Sequence, residues 1–338
     1  MNEKPILGIT MGDPSGVGSE IIVKTLCEKE YYDMARPIVI GDAIRMKDSL
    51  KFVDEKLEIH TVSNVGEAKF EYGFIDVLHM EIEGVPTVPY REVNAISGKA
   101  SVEYIFKSIE LAQNRVVDAV VTGPINKESM HRAGYKNYPG HTEIFAEKTN
   151  TDDYAMMLYT GGYHVIHVST HCSLREACDR ATKKRVKRVI ELAHDMIKTY
   201  GVENDLIAVA GLNPHCGEGG AFGNEDDNEI IPAIEEAKAE GINITGPVPP
   251  DTIFYRAMQG QFKVIIVMYH DQGHIPVKII NFEEGVNVTL GLPIIRTSVD
   301  HGTAYGRAGK GYASPASLME AYKLAADMAY KKYYAQKK

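Results

Sequence analysis

Short apolar, β-branched segments alternate with longer segments of helical periodicity along most of this 338-residue chain. The segments with the composition of buried strands are Ile6–Met11, Pro37–Ile40, Ala119–Thr122, Ala155–Tyr159, His164–Ser169, Leu206–Ala210, Lys263–Met268 and Pro293–Thr297. The segments with helical spacing are Gly18–Lys29, Ser101–Asn114, Lys183–Tyr200, Glu229–Glu240 and Pro315–Lys332. Strands that alternate with helices form parallel sheets covered by helices on both faces. The chain is therefore predicted to have an α/β fold.

Capping residues support the helix boundaries. Thr182, Asn228 and Ser314 stand where an N-cap side chain would accept hydrogen bonds from the first backbone N–H groups. Gly201 and Gly241 stand just past two helix ends, where a left-handed residue closes the last turn. These residues predict helices that begin and end close to the limits given above.

The length of the chain is typical of about two domains, and no low-complexity tract or polar linker separates them. Two α/β/α lobes that share a cleft are therefore predicted, with the active site in that cleft. Because the last helix needs a sheet to cover, the first lobe is predicted to contain residues 1–130 together with 295–338. The second lobe is predicted to contain residues 131–294.

Charge and composition exclude several classes of protein. The net charge of −9 argues against a nucleic-acid-binding protein, which needs a basic face to neutralise phosphates. The apolar segments are far shorter than the ~18 residues that span a bilayer, and the N-terminal residues have no cleavable signal pattern. Four cysteines without C-x-x-C spacing are typical of a reducing compartment. A cytoplasmic protein is therefore expected.

Three histidines, His171, His215 and His270, each stand at or just beyond the carboxyl end of a predicted strand. Ligand sites of α/β sheets lie at these strand ends. Neutral imidazoles from three loops would form an open metal site that water or substrate completes. The alternative is that some of the twelve histidines fall at strand ends by chance.

His270 begins a dense polar cluster that extends to Lys278. Asp271 is suited to orient a metal ligand. Lys278 is suited to bind an anion or, with a pKa lowered by burial, to carry a proton. The alternative is a solvated turn with a structural salt bridge.

Four further segments contain groups that bind anions or nucleotides. Glycine-rich residues 12–20 join the first strand to the first helix, and residues 140–143 begin another helix, where backbone N–H groups attract anions. Arg296 is suited to a bidentate pair with phosphate or carboxylate. Residues 300–311 contain four glycines and two cations. The alternatives are a tight turn, an N-cap by Thr142, a structural ion pair and a surface loop, respectively.

The order of these motifs along the chain resembles the PdxA family, the 4-hydroxythreonine-4-phosphate dehydrogenases. The matching segments are MGDPSGVGSE at the start, TGPINK (122–127), PGHTE (139–143), STH (169–171), GLNPHCGEGG (211–220), PPDT (249–252), YHDQG (269–273), GVNVTLGLP (285–293) and RTSVDHGTA (296–304). They appear in order over nearly the whole chain, so the resemblance is highly specific.

This resemblance implies an isopropylmalate-dehydrogenase-like fold and a homodimer whose partners share the active site. It also implies NAD and a divalent metal, with zinc favoured and magnesium or cobalt as alternatives. The implied metal ligands are His171, His215 and His270, contributed across the dimer partners. The implied substrate contacts are His141, Thr142, Lys278, Asn287 and Arg296. The implied cofactor contacts are His301, Gly302, Thr303 and Ala304, in a loop similar to the adenosine-side loop of isopropylmalate dehydrogenases.

The implied reaction is oxidation of a 4-phosphorylated four-carbon hydroxy acid to a β-keto acid, followed by loss of carbon dioxide. Lys278 and Asp251 are the candidate general bases. Cys172-Ser173-Leu174 and His274 depart from the biosynthetic members, which usually have Ile-Pro-Leu and Leu there. Both departures favour 4-phospho-D-threonate or D-erythronate 4-phosphate as the substrate, with His274 recognising the hydroxyl at C2.

Three alternative functions remain open at this stage. The first is oxidation of 4-phosphooxy-L-threonine in pyridoxal phosphate biosynthesis. The second is a phosphotransacetylase-like acyltransferase, which has a related fold but needs neither NAD nor metal. The third is a non-catalytic protein that binds a phosphorylated metabolite.

Overall fold

The computed structural model describes residues 4–335, which form twelve β-strands and twelve α-helices and confirm the α/β class. The strands are β1 (Ile6–Thr10), β2 (Arg36–Gly41), β3 (Glu58–Val62), β4 (Phe74–His79), β5 (Ala119–Thr122), β6 (Ala155–Thr160), β7 (Tyr163–His167), β8 (Ile207–Ala210), β9 (Ile244–Val248), β10 (Val264–Val267), β11 (Val286–Leu290) and β12 (Ile295–Val299). The helices are α1 (Gly18–Leu26), α2 (Lys29–Met34), α3 (Ala43–Ser49), α4 (Ala95–Gln113), α5 (Lys127–Arg132), α6 (His141–Lys148), α7 (Leu174–Arg180), α8 (Lys183–Tyr200), α9 (Ile231–Ala239), α10 (Ile253–Met258), α11 (His270–Ile280) and α12 (Ala316–Tyr333).

The first of two compact units contains the residues up to Asp152 together with those from Leu292 onward. Its strands lie in the order β3-β4-β2-β1-β5-β12 and pair in parallel. β1 and β5, at the centre, are almost completely buried. Residues 131–152, which the sequence analysis assigned to the second lobe, belong to this unit, where α6 contacts α4.

The second unit runs without interruption from Asp153 to Gly291. Its strands lie in the order β11-β6-β7-β10-β8-β9. β7, β10, β8 and β9 are parallel, whereas β6 is antiparallel to both β7 and β11. The prediction of a wholly parallel sheet was therefore wrong here. The cause is the Gly161-Gly162 turn, whose two positive φ angles of 53° and 82° allow β6 and β7 to form a hairpin.

One of the three predicted N-caps is confirmed: Thr182 Oγ1 accepts a hydrogen bond from the N–H of Arg185 at 3.3 Å. Ser314 lies one residue before the N-cap of α12, which is Pro315, although its Oγ accepts a hydrogen bond from the N–H of Ala316 at 3.4 Å. Asn228 was wrong, because it lies inside a π-helical turn, Asp226–Ile230, that precedes α9.

No helix among residues 4–335 has both the length and the apolar character that crossing a bilayer requires.

Candidate active site

Arg296 is the buried cation of a cluster in the first unit that also contains His141 and Thr142, and we name this group the cationic cluster. Arg296 is 2% exposed on β12, and its Nη2 donates a hydrogen bond to Thr122 Oγ1 at 3.0 Å. The ring of Phe145 on α6 lies 5.5 Å from its Cζ. Burial lowers the pKa of Arg296 to about 9, an effect that the Glu143 carboxylate opposes. The guanidinium therefore keeps its charge at pH 7 in a place where water solvates it poorly.

His141 and Thr142 form the first turn of α6 in the same unit. Gly140 precedes them and provides no side-chain cap, so the first N–H groups of the helix are open to an anion. Burial and the charge of Arg296 lower the pKa of His141 well below 6.5, and a hydrogen bond with the backbone of Gly123 opposes this shift. The Nε2 atom of His141 is buried and has no hydrogen-bond partner in the described part of the chain. This neutral imidazole is suited to bind a ligand atom.

The predicted cofactor residues lie against the glycine-rich turn that follows β1. The N–H of Val17 donates to the carbonyl of Thr303 at 3.1 Å. A Cβ at Gly16 would lie 3.0 Å from Thr303 Cβ, so glycine allows the turn to approach Thr303 closely. His301, Gly302 and Ala304 are exposed around the buried Thr303. This places Thr303 of the predicted NAD loop beside the N-terminal end of α1.

Two buried carboxylates that the sequence analysis did not select hold this loop. Asp13 Oδ2 accepts a hydrogen bond from the hydroxyl of Tyr305 at 2.8 Å. Burial raises the pKa of Asp13, and its hydrogen bonds with Tyr305 and Ser15 oppose the rise. Glu20 Oε1 accepts a hydrogen bond from the N–H of Ala313 at 2.8 Å. Asp13 and Glu20 both belong to the MGDPSGVGSE motif, and membership of that motif was the sequence signal that could have identified them.

The three predicted metal histidines follow neighbouring strands of the second unit. β10 lies between β7 and β8, and all three are parallel. His171, His270 and His215 follow β7, β10 and β8, respectively. The prediction that each lies at a carboxyl strand end is therefore confirmed, and the three strands are adjacent.

His171 and His270 are close enough to share a metal ion. Their ring centroids lie 5.8 Å apart, a separation that suits two imidazoles bound to one ion at Zn–N distances of about 2.0–2.1 Å. The Nδ1 atom of His270 is hydrogen-bonded to Asp271 Oδ1 at 2.7 Å. Such a carboxylate fixes the tautomer and leaves Nε2 for the metal. Both rings line a cavity of about 470 Å³ together with Cys172 and Tyr269.

His215 does not complete this pair within one chain. No group of three histidine, cysteine or acidic side chains with metal-binding geometry occurs among residues 4–335. His215 and Cys216 have positive φ angles of 52° and 56°, and the exposed His215 ring lies 6.2 Å from that of Phe222. Two of the three predicted ligands, His171 and His270, therefore lie together. The third, His215, lies in the loop after the neighbouring strand β8.

His274 packs directly against His270. Their rings are stacked with centroids 3.6 Å apart and planes at 9°, and His274 Nδ1 lies 3.0 Å from the carbonyl oxygen of His270. On the other side, the ring of His167 lies 4.9 Å from that of His274. Burial and His274 lower the pKa of His167 to about 3, so this ring is neutral at pH 7. Two imidazoles therefore support the ring of a predicted metal ligand.

The remaining predicted residues also lie in the second unit. Lys278 is half-buried near the end of α11, with its Nζ 5.3 Å from the ring centroid of Phe282. Asn287 is half-buried in β11, opposite Leu158 of β6. Asp251 is exposed before α10. Burial raises the pKa of the Cys216 thiol to about 11, and the charges of Asp226 and, to a smaller extent, Asp251 add to the rise. Asp251 therefore lies near the His215 loop.

Residues 33–325 match the family model described as "Pyridoxal phosphate biosynthetic protein PdxA". A protein of Oceanobacillus iheyensis named "Putative D-threonate 4-phosphate dehydrogenase" is 47% identical over 332 residues, which cover 97% of this chain and 99% of that protein. The crystal structure of a 4-hydroxythreonine-4-phosphate dehydrogenase from Burkholderia phymatum has 43% identity and a TM-score of 0.85, over 97% of this chain and 99% of the other. The same enzyme from Klebsiella pneumoniae has 40% identity and a TM-score of 0.88, over 96% and 98%.

Proposed function

Because this chain belongs to the PdxA family, we propose that it oxidises and decarboxylates a 4-phosphorylated four-carbon hydroxy acid with NAD and a divalent metal. 4-Phospho-D-threonate or D-erythronate 4-phosphate is the favoured substrate, in agreement with the name of the relative from Oceanobacillus iheyensis. The observation that carries the proposal is the set of three histidines at the ends of adjacent strands, with the His171 and His270 rings 5.8 Å apart.

The cationic cluster of the first unit is assigned to the substrate phosphate. Arg296 provides a charged fork that suits two phosphate oxygens. The first N–H groups of α6, the hydroxyl of Thr142 and the buried Nε2 of His141 provide further hydrogen-bonding groups. Burial keeps His141 neutral at pH 7. A bound phosphate dianion would favour protonation of its ring, which would place a second positive charge beside that of Arg296.

The histidines of the second unit are assigned to the hydroxyl and carboxylate end of the substrate. His171 and His270, with His215, would hold a divalent ion, zinc being favoured, which supplies a Lewis acid for the hydroxyl group. Asp271 orients His270 for that role. Lys278 or Asp251 would take the hydroxyl proton. Residues 301–304 would hold the adenosine end of NAD, whose nicotinamide would supply the hydride acceptor. Lys278 and Asn287 bind the substrate oxygens, and the β-keto acid that forms then loses carbon dioxide.

A second copy of this chain is the proposed source of the missing third ligand. One chain brings two of the three histidines together. Helix α11, which begins at His270, exposes Ile275 and Ile279 at 55% and 79%, and Phe282 just after the helix is 74% exposed. This apolar face on a ligand-bearing helix suits a homodimer in which the partners share the active site.

The proposal is tested by following NADH absorbance with metal-loaded protein on three substrates: 4-phospho-D-threonate, D-erythronate 4-phosphate and 4-phosphooxy-L-threonine. We expect the highest kcat/KM for one of the sugar acids, and loss of activity when a chelator removes the metal. Preference for the amino acid would instead assign the chain to pyridoxal phosphate biosynthesis. No NADH from any of the three substrates would overturn the proposal. Acyl transfer that survives chelation and needs no NAD, measured separately, would then favour the acyltransferase, and ligand binding without turnover would favour a binding protein.

Replacing His274 with leucine is expected to move the preference towards 4-phosphooxy-L-threonine. An imidazole beside the metal ligands can hydrogen-bond a hydroxyl at C2, whereas leucine cannot. The loss of one such bond to a neutral group corresponds to about 1 kcal/mol, so the ratio of kcat/KM values should change by about fivefold or more. The ratio is measured with both substrates on both proteins. An equal decrease for the two substrates would mean that His274 only supports the His270 ring.

A further inference from the structure

Gln272 links the two loops that carry His215 and His270. It lies in the first turn of α11 and is 8% exposed. Its Oε1 accepts a hydrogen bond from the N–H of Met268 at 2.6 Å, and its Nε2 donates one to the carbonyl of Gly211 at 2.7 Å. One buried amide is therefore bonded to the chain just beyond β10 and just beyond β8.

This link occurs where the pairing of two adjacent strands ends. β8 and β10 pair in register from Ile207 opposite Val264 to Val209 opposite Ile266. Past these pairs, the Gln272 amide joins the two segments. A side chain at this point controls the distance between the loops that follow the strands, and those loops contain the histidines.

The beginning of the His215 loop is also fixed from other directions. The N–H of Gly211 donates to the carbonyl of Val248 at 3.0 Å. The fully buried carboxylate of Asp226 accepts hydrogen bonds from the N–H groups of Leu212 and Asn213 at 2.9 and 3.0 Å. Because this segment is held so closely, the bond from Gln272 transmits the position of α11 to the His215 loop.

We propose that Gln272 is a positioning residue that fixes the His215 loop and the His270 loop of one chain, so that each presents its histidine for metal binding in the homodimer. The inference rests on the proposed function, since it requires a metal at these histidines. Metal ligands need supporting groups that hold them within about 0.5 Å of the productive geometry. Loss of such a supporting group typically weakens metal affinity about 10- to 100-fold.

The test compares metal affinity in the wild-type protein, in Gln272→Met and in Gln272→Glu. Methionine has a similar volume and removes both hydrogen bonds, whereas glutamate keeps the acceptor for Met268 and directs an oxygen at the Gly211 carbonyl. Dissociation constants for Zn²⁺ and Co²⁺ are measured by competition with a chromophoric chelator. We expect both variants to bind about 10- to 100-fold more weakly, with a changed Co²⁺ absorption spectrum and an unchanged KM for NAD.

Gln113→Met is the matched control. Gln113 is an exposed residue of the first unit that also bonds a backbone carbonyl, that of Lys148 at 3.3 Å. Its replacement should leave the metal affinity unchanged. Wild-type affinity in Gln272→Met would overturn the inference and leave the proposed function intact. If the wild-type protein binds no divalent metal, both are overturned. If both Gln272 variants fail to fold, Gln272 acts in stability and the inference is overturned.

Discussion

Replacing His270 with alanine should lower kcat/KM by about 10³-fold and abolish tight binding of the divalent metal. A metal acting as a Lewis acid supplies several kcal/mol of transition-state stabilisation, and each 1.36 kcal/mol corresponds to about a tenfold change in rate. The ring of His270 lies 5.8 Å from that of His171, another predicted ligand, and Asp271 fixes its orientation. The measurements are NADH formation and the metal content of the protein after dialysis.

His131→Gln is the control for the loss of one imidazole, because His131 is exposed on α5 in the first unit. It should have wild-type activity and metal content. Thermal denaturation of the metal-free proteins tests whether His270→Ala remains folded. A His270→Ala protein that retains its metal and more than a tenth of the activity would contradict the assignment of this residue as a ligand.

Replacing Arg296 with methionine should lower kcat/KM for the phosphorylated substrate by about 10²- to 10³-fold. Loss of one partner from a buried, hydrogen-bonded charge pair costs about 2–5 kcal/mol, and Arg296 is nearly inaccessible to water. The same acid without its phosphate should be affected much less. The ratio of the two kcat/KM values therefore isolates the phosphate contact from any general effect on the active site.

The Arg296→Met protein is expected to be at least as stable as the wild-type protein, although its activity is lower. Burial lowers the pKa of Arg296, which means that the folded protein without substrate disfavours this charge. Methionine avoids that desolvation and is expected to maintain or raise the melting temperature. The exposed Arg132, changed to methionine, is the control and should leave the substrate ratio unchanged. An equal loss on both substrates, together with a lower melting temperature, would identify Arg296 as a structural residue.

The strands that the sequence predicted are those with continuous apolar cores. All four residues of β10 are buried, and its short, wholly β-branched run favours a strand. Four strands, β3, β4, β9 and β11, were missed. β3 is exposed or half-buried except at Val62, β9 contains Gly246 and Pro247, and β11 alternates polar residues with buried ones, so the hydrophobic pattern of these three is weak. β4 is largely buried, but Asp76 interrupts its apolar run, and this buried carboxylate accepts hydrogen bonds from backbone N–H groups.

Helix α11 shows why a local pattern was insufficient for the candidate site. The sequence analysis assigned no helix to residues 269–278, although α11 begins at His270 and contains Gly273 and Pro276, which both disfavour helix. In the structure, a Cβ at Gly273 would lie 2.5 Å from His167 Nε2. Glycine therefore allows the helix to pack against a buried imidazole that lies far away in sequence, and such packing leaves no local signal.

The positions of the candidate ligands were predictable, whereas their grouping was not. Strand-end positions identified His171, His215 and His270 because parallel sheets place ligand sites at that edge. Which two of them meet depends on the left-handed backbone after Pro214 and on the Gln272 bonds to Met268 and Gly211. The groups that Gln272 contacts belong to the backbone. Since every residue type has the same backbone groups, the sequence contains no signal for these contacts.

The division of the first unit between the two ends of the chain has a consequence for biosynthesis. β5 pairs with β12, with Ala119 opposite Ile295, so its sheet remains incomplete until the ribosome has translated residues 295–299. Every strand of the second unit has been synthesised before that point. Pairing of segments so distant in sequence is slow because it carries a large loop-closure entropy. The nascent protein is therefore expected to mature from its middle outward, and its N-terminal strands wait for the last strand to emerge.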